Sequence, residues 1–264
     1  MNAFRPLVLL ICCFAISDMV SAKKTINEPF VLASIQPEGS KQRQLLVKIY
    51  TELFERMEVP LEIVNMPLKR ASEDANSGKV DGQFGRIFEY GERYTNQQRV
   101  DFPIIQSTLL AFAHINSKIN INNGWDSLEG TRYSVEYQRG MLSSRMNLEN
   151  RVKSSNLSSV TNAEQGLLKL KYRRTDIFIH TNGVALENVL KNPEFRGYIK
   201  PIAMMQTVFL YPYVHKKHKK MVPAMENTLQ EMKKDGTIMH YCKEVYTSDS
   251  NNFCSNWPAV KFQF

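Results

Sequence analysis

Short apolar runs alternate with longer segments whose apolar residues recur every three or four positions. Residues 30–35 form the first run, and a turn cluster, Gln36-Pro37-Glu38-Gly39-Ser40, follows. Leu45, Leu46, Ile49, Leu53, Phe54 and Met57 then repeat at helical spacing, with Lys48, Glu52 and Arg56 on other faces, until Pro60 stops the helix. Residues 61–64 read as a second strand. Pro67 suits a first-turn position of a helix carrying Leu68, Ala71 and Ala75, which Gly78 ends. A third strand spans 80–86. Strand–helix–strand–helix–strand predicts parallel strands with right-handed crossovers. Ligands of such sheets sit beyond the carboxyl ends of the strands, which here converge residues 36–40, 66–70 and 85–93.

A second unit repeats the pattern. Residues 109–115 form a strand, 116–124 a polar linker and 125–130 a compact turn. A strand starts at 133–135, and Gly140 precedes a helix over 141–152, whose first N–H groups suit an anion. Thr161-Asn162-Ala163-Glu164 reads as a capping box opening a helix to Tyr172. Strands follow at 176–180 and 198–202, with a short helix over 183–190 between them. Residues 206–215 are long, extended and apolar. Met221, Met225, Leu229 and Met232 mark a core-facing helix ended by Gly236. Two α/β units linked by extended segments near 109–115 and 206–215 predict a hinge with a cleft beside it.

The N-terminus carries a separate signal. Arg5, an apolar run over 7–16 and the small residues Ser21 and Ala22 describe a secretory leader cleaved after Ala22. Its ten-residue apolar stretch is too short to span a bilayer, and Ile11 before Cys12 argues against a lipid anchor. Cleavage leaves the net charge at +8. The basic residues are dispersed, and the densest run, 215–220, lacks interleaved aromatics, which argues against nucleic acid. Cys242 and Cys254 are the two cysteines outside the leader. In an exported chain they are expected to pair, a metal site being the rival with only His240 nearby.

The candidate chemistry starts at the third strand. Gly82 and Gly85 close it, and Arg86, Arg93 and Arg99 follow. Arginine offers a carboxylate a rigid donor fork; a solvated βα loop is the plain alternative. Glu136, His180 and Glu89 are acids and bases, but no nucleophile–base pair, metal set or cofactor loop accompanies them, so neither catalysis nor a cofactor is expected.

Four segments together resemble the bacterial extracellular solute-binding proteins of family 3. They are Gly78-Lys-Val-Asp81-Gly82 with Arg93 and Val100-Asp-Phe-Pro103; Trp125-Asp-Ser-Leu-Glu-Gly-Thr131 followed by Gly140; Gly166-Leu-Leu-Lys-Leu with Arg174-Thr-Asp176-Ile; and Glu231-Met-Lys-Lys-Asp-Gly-Thr-Ile238. The resemblance implies an α/β, two-lobed periplasmic-binding-protein-like fold, each lobe a mostly parallel sheet flanked by helices, joined by a two-strand hinge. Residues 23–112 with 208–264 would form lobe one, and 113–207 lobe two. It further implies a periplasmic monomer that closes over a small anionic or zwitterionic, amino-acid-like solute and presents it to a membrane permease. A sensor docking on a membrane receptor, or a lyase on the same fold, are the alternatives. A lobe-one arginine would grip the ligand carboxylate. Arg93 matches by position, Arg86 at the strand end is geometrically as good, and Arg70 is a third candidate. Gly140-Met141 stands where the family has Gly-Thr, with Ser143 or Ser144 as substitute hydroxyls. His180 stands where the family has the aspartate that pairs with the α-ammonium, and Glu136 could replace it. Gln36 lies in a ligand-contacting loop, and Phe84, Tyr90 and Tyr137 could wall the cleft.

Overall fold

The computed structural model describes residues 28–183, 189, 191–247 and 254. The expected leader and most of the expected 183–190 helix lie outside the described residues. The described residues form nine strands in one mixed sheet. They are β1 (Phe30–Ser34), β2 (Leu61–Asn65), β3 (Gly82–Ile87), β4 (Gln97–Arg99), β5 (Ile105–His114), β6 (Val135–Gln138), β7 (Leu157–Val160), β8 (Ile177–Thr181) and β9 (Ile199–His215). The sheet order is β2-β1-β3-β9-β5-β8-β6-β7, with β4 also on β9. β1 pairs with β2 and β3 in parallel, and β6 with β7 and β8. These are the parallel strands that the alternating pattern predicts. The long strands β5 and β9 run antiparallel between the two groups.

Helix α1 (Lys41–Arg56) starts at Ser40, whose hydroxyl accepts the Arg43 N–H, and buries Leu45, Leu46, Ile49, Tyr50, Leu53 and Phe54. Helix α2 (Leu68–Ser77) ends at Gly78, held in the left-handed conformation at φ 81°. Helices α3 (Tyr90–Arg93), α4 (Leu142–Glu149), α5 (Ala163–Lys171), α6 (Val222–Lys234) and α7 (Thr237–Val245) follow among the described residues. The α5 cap is displaced by one residue from the expected box. Asn162 accepts the Gln165 N–H at 2.9 Å, and Gln165 reaches back to the Thr161 N–H at 2.9 Å. Among the described residues no helix is long and apolar enough to cross a membrane.

The apolar core is divided. One cluster joins β1, α1, Phe84, Phe102, Ile105, Val214, α6 and α7, and the Cys242–Cys254 disulfide lies within it. Two others sandwich the β5-β8-β6 part of the sheet. Leu109, Trp125, Leu128, Leu148 and Ile177 fill one face; Phe112, Leu167, Leu170, Phe178 and Phe195 fill the other. The strands change partner along their length. β9 pairs with β3 from Leu210 to Val214 and with β5 from Ile199 to Leu210. Where the clusters part, the ladder turns polar. Thr108 and Thr207 hydroxyls lie 3.2 Å apart, and the Thr108 N–H donates to Asn182 Oδ1 at 3.1 Å.

Helix α5 seats on β8 through Gly166, where a Cβ would lie 2.4 Å from the buried Phe178 ring. Gly166→Ala should therefore destabilise the fold by about 1–3 kcal/mol through overpacking. Urea unfolding measures it, and an unchanged midpoint would contradict this close packing.

Candidate functional site

A cleft of about 660 Å³ opens between the strand ends of the two groups. From one side it is lined by Ile35, Gln36 and Pro37 after β1, by Asn65 at the end of β2 and Met66 to Leu68 beyond it, and by Gln42 on α1. From the other come Gln138 at the end of β6 and Met141 beyond it, Thr161 to Glu164 at the start of α5, His180 and Thr181 at the end of β8, and Asn192 and Phe195. Ser107 and Leu210 of the shared ladder form part of its wall. The strands thus deliver residues to one place, as a parallel sheet requires.

The two sides touch across the cleft. Gly140 has φ 96°, and a Cβ there would lie 2.9 Å from Leu68 Cγ and 3.1 Å from the Lys69 nitrogen. A Cβ on Gly183 would lie 3.0 Å from Gln42 Oε1. Both contacts join the opposing walls in close approach, and at Gly140 the left-handed backbone itself favours glycine.

Of the residues singled out in the sequence, Gln36, Met141 and His180 line the cleft. Gly140 forms the cross-cleft contact just described. Arg86 is buried one layer behind the wall: its Nε donates to Gln83 Oε1 at 2.7 Å, Nη2 approaches the Leu68 carbonyl at 3.5 Å, and the guanidinium stacks over Tyr90 at 5.3 Å. Among the described residues it has no carboxylate partner, and burial pulls its pKa down. Arg70 projects from α2 toward Asp74, and Arg93 is exposed on α3. Phe84 is core, stacked on Tyr50 at 4.8 Å, and Tyr90 is buried against Tyr213. Tyr137 packs on the Trp125 cluster. Glu136 is buried away from the cleft lining, paired with Lys169 and accepting from Ser158 at 2.6 Å. Ser143 donates to Gln206 Oε1 and Ser144 is buried. The amides Gln42, Asn65, Gln138, Asn162 and Asn192 are cleft residues that sequence pattern alone does not single out.

His180 has a defined proton position. The Thr181 N–H donates to its Nδ1 at 2.8 Å, so the proton of the neutral ring sits on Nε2 and donates to Gln138 Oε1 at 2.7 Å. Glu164, exposed at the second position of α5, is the one acidic side chain on the cleft lining among the described residues, and no lysine or arginine joins it there. Among the described residues no cluster of three or more His, Cys, Asp or Glu could hold a metal ion.

Burial holds the His180 imidazole down to about 4, against an ordinary 6.5. As pH falls the unfolded chain takes up this proton first, so stability present above the ordinary value is lost on the way down to the folded one. At about 1.4 kcal/mol per unit, the loss should be about 2.5 kcal/mol between about pH 7.5 and about pH 4.5. Urea unfolding of the protein and of His180→Gln across that range measures it. A difference between the two that does not change with pH would contradict the buried neutral ring.

Comparison with known proteins places this geometry. Residues 30–246 match the family of bacterial extracellular solute-binding proteins, family 3. An uncharacterised protein of Shewanella oneidensis is 31% identical over 247 residues, covering 91% of this chain and 92% of that one. Among solved structures, the arginine-, lysine-, histidine-binding protein ArtJ of Geobacillus stearothermophilus superposes with a TM-score of 0.67 at 15% identity, covering 84% of this chain and 96% of that one. A histidine kinase sensor domain similar to periplasmic binding proteins gives 0.69 at 14% identity, covering 83% and 96%. The two-lobed fold is thus shared with these structures, and the chain belongs to the bacterial extracellular solute-binding proteins, family 3.

Proposed function

We propose that the protein captures a small anionic or zwitterionic, amino-acid-like solute in the cleft between its two halves and presents the closed form to a membrane transporter. One observation carries this reading: a cleft lined by amides and hydroxyls among apolar side chains is spanned by close contacts, Gly140 on Leu68 and Lys69, from opposite walls. Such contacts form only when the halves approach, so closure and solute capture are coupled. The β5–β9 ladder, polar where the apolar clusters part, would act as the hinge. Arg86, buried without a carboxylate partner among the described residues, biases the interior toward an anionic group. Binding rather than turnover is favoured because both His180 nitrogens are already engaged. An exported location follows from the family and the leader-like N-terminus. The fold likeness to a sensor domain supports a second use of the same closure, docking on a membrane receptor.

A thermal-shift screen of residues 23–264 against amino acids, organic acids, polyamines and sugars tests the reading. A ligand at a hundred times its dissociation constant should stabilise by about 2.7 kcal/mol. Silence across the whole panel would overturn it. Gly140→Ala, which obstructs the approach of Leu68 and Lys69, should weaken that ligand about tenfold or more while the chain stays folded. Unchanged affinity, read by calorimetry, would remove closure at Gly140 from the account. Arg86→Gln should weaken an anionic ligand more than the same change at exposed Arg93 or Arg70; the reverse order would move the arginine role to those positions.

A further inference from the structure

Four of the six amides on the cleft lining, Gln36, Gln138, Asn162 and Asn192, have a fixed direction. Gln36 is buried, and its Oε1 accepts the Ile35 N–H at 3.3 Å and the Ser34 hydroxyl at 3.2 Å. Gln138 Oε1 accepts from His180. Asn162 Oδ1 accepts the Gln165 N–H, and Asn192 Oδ1 accepts the Glu194 N–H, each at 2.9 Å. In all four the carbonyl oxygen is consumed by the protein, and the amide nitrogen has no hydrogen-bond partner among the described residues. None of these nitrogens is sealed from solvent, so each is available to a molecule in the cleft.

His180 is what makes this orientation obligatory at Gln138. With Nδ1 filled by the Thr181 N–H, the ring can only donate from Nε2. Gln138 must then turn its oxygen to His180 and its NH2 group away. Gln36 and Gln138 stand on opposite walls, just beyond β1 and at the end of β6, so two N–H donor groups face the same space. An ammonium has three donors and no acceptor, so it finds no match at these two nitrogens. The acceptors on the lining lie elsewhere, in the exposed Glu164 carboxylate at the start of α5 and in the amide oxygens of Gln42 and Asn65, so the exclusion holds for the space between Gln36 and Gln138 alone.

Building on the solute-binding reading, we infer that the ligand is a small carboxylic acid with a hydroxyl or keto oxygen, not an ammonium, beside the carboxylate, held between the amide nitrogens of Gln36 and Gln138. His180 is the positioning residue that aims Gln138.

Calorimetry with matched pairs tests this: L-malate against L-aspartate, 2-hydroxyglutarate against L-glutamate, and L-lactate against L-alanine. At least one hydroxy acid should bind about tenfold or more tightly than its amino counterpart, the size expected for a donor facing an acceptor rather than another donor. Gln138→Glu keeps an oxygen for His180 and turns a second oxygen into the cleft, so it should reverse that order. His180→Leu should weaken the hydroxy acid about tenfold, and His180→Gln, which retains an N–H donor, should restore it; a purely structural role would not be rescued in affinity at equal thermal stability. Amino acids binding as tightly as their hydroxy counterparts, or an order unchanged by Gln138→Glu, would overturn the inference while leaving solute binding intact. Binding of sugars or polyamines alone would do the same. If no member of the wider panel binds, the solute-binding reading itself fails, and the inference with it.

Discussion

The antiparallel ladder between β5 and β9 holds the molecule together, because every residue of β5 faces a partner on β9. Its two ends belong to different cores. Ile105, with Leu210 packed beside it, lies in the cluster built on α1, whereas Phe112 and Ile199 lie in the cluster built on Phe178. Backbone hydrogen bonds therefore carry continuity across a zone where apolar packing is interrupted. The register shifts between Leu109 and Leu110 and between Ala111 and Phe112 let one strand serve both halves, and Pro201, which lacks a ladder donor, sits at the second shift. The carboxyl ends of β1, β2, β6 and β8 are brought face to face by this arrangement, and the cleft is the space left between them.

The polar wall of that space is built by spending acceptors. Gln36, Gln138 and Asn162 each satisfy the side-chain carbonyl within the protein, and the donors are backbone N–H groups, the Ser34 hydroxyl and one imidazole. Each oxygen satisfied inside the protein leaves a nitrogen outside, so local turn and cap chemistry sets which hydrogen-bonding groups face the cleft. Asn162 illustrates the link: the side chain that caps α5 also presents its NH2 to the cleft. Burial of His180 serves the same end by keeping the ring neutral, with one donor and one acceptor rather than two donors.

Much of the fold is legible in the residue pattern, and the exceptions have physical causes. Ser40 and Gly78 mark helix ends by capping and by left-handed backbone, and both do so in the structure. β9 reads as two strands because Pro201, Gln206 and Thr207 interrupt its apolar run, yet pairing on both edges keeps it extended for 17 residues. β7 has only Leu157 and Val160 as apolar residues and does not announce itself, whereas α7 carries Ile238, Tyr241, Cys242 and Val245 at helical spacing and is legible only once Gly236 is taken as a cap between two helices rather than as an end. In the site, strand-end position brings Gln36, Met141 and His180 to the cleft wall. Three nearby arginines look alike in sequence, and only tertiary packing separates buried Arg86 from exposed Arg70 and Arg93. Scattered amides leave no periodic trace, because their direction is set by partners distant in the chain, such as His180 for Gln138.

The central claim is that the cleft recognises ligand oxygen through glutamine N–H groups on both walls. A crystal structure of the protein with its tightest-binding small acid tests this most directly. The account predicts ligand oxygens about 3 Å from the amide nitrogens of both Gln36 and Gln138, with His180 still donating to Gln138. A ligand seated outside the cleft, or an amine nitrogen lying against those amides, would contradict it.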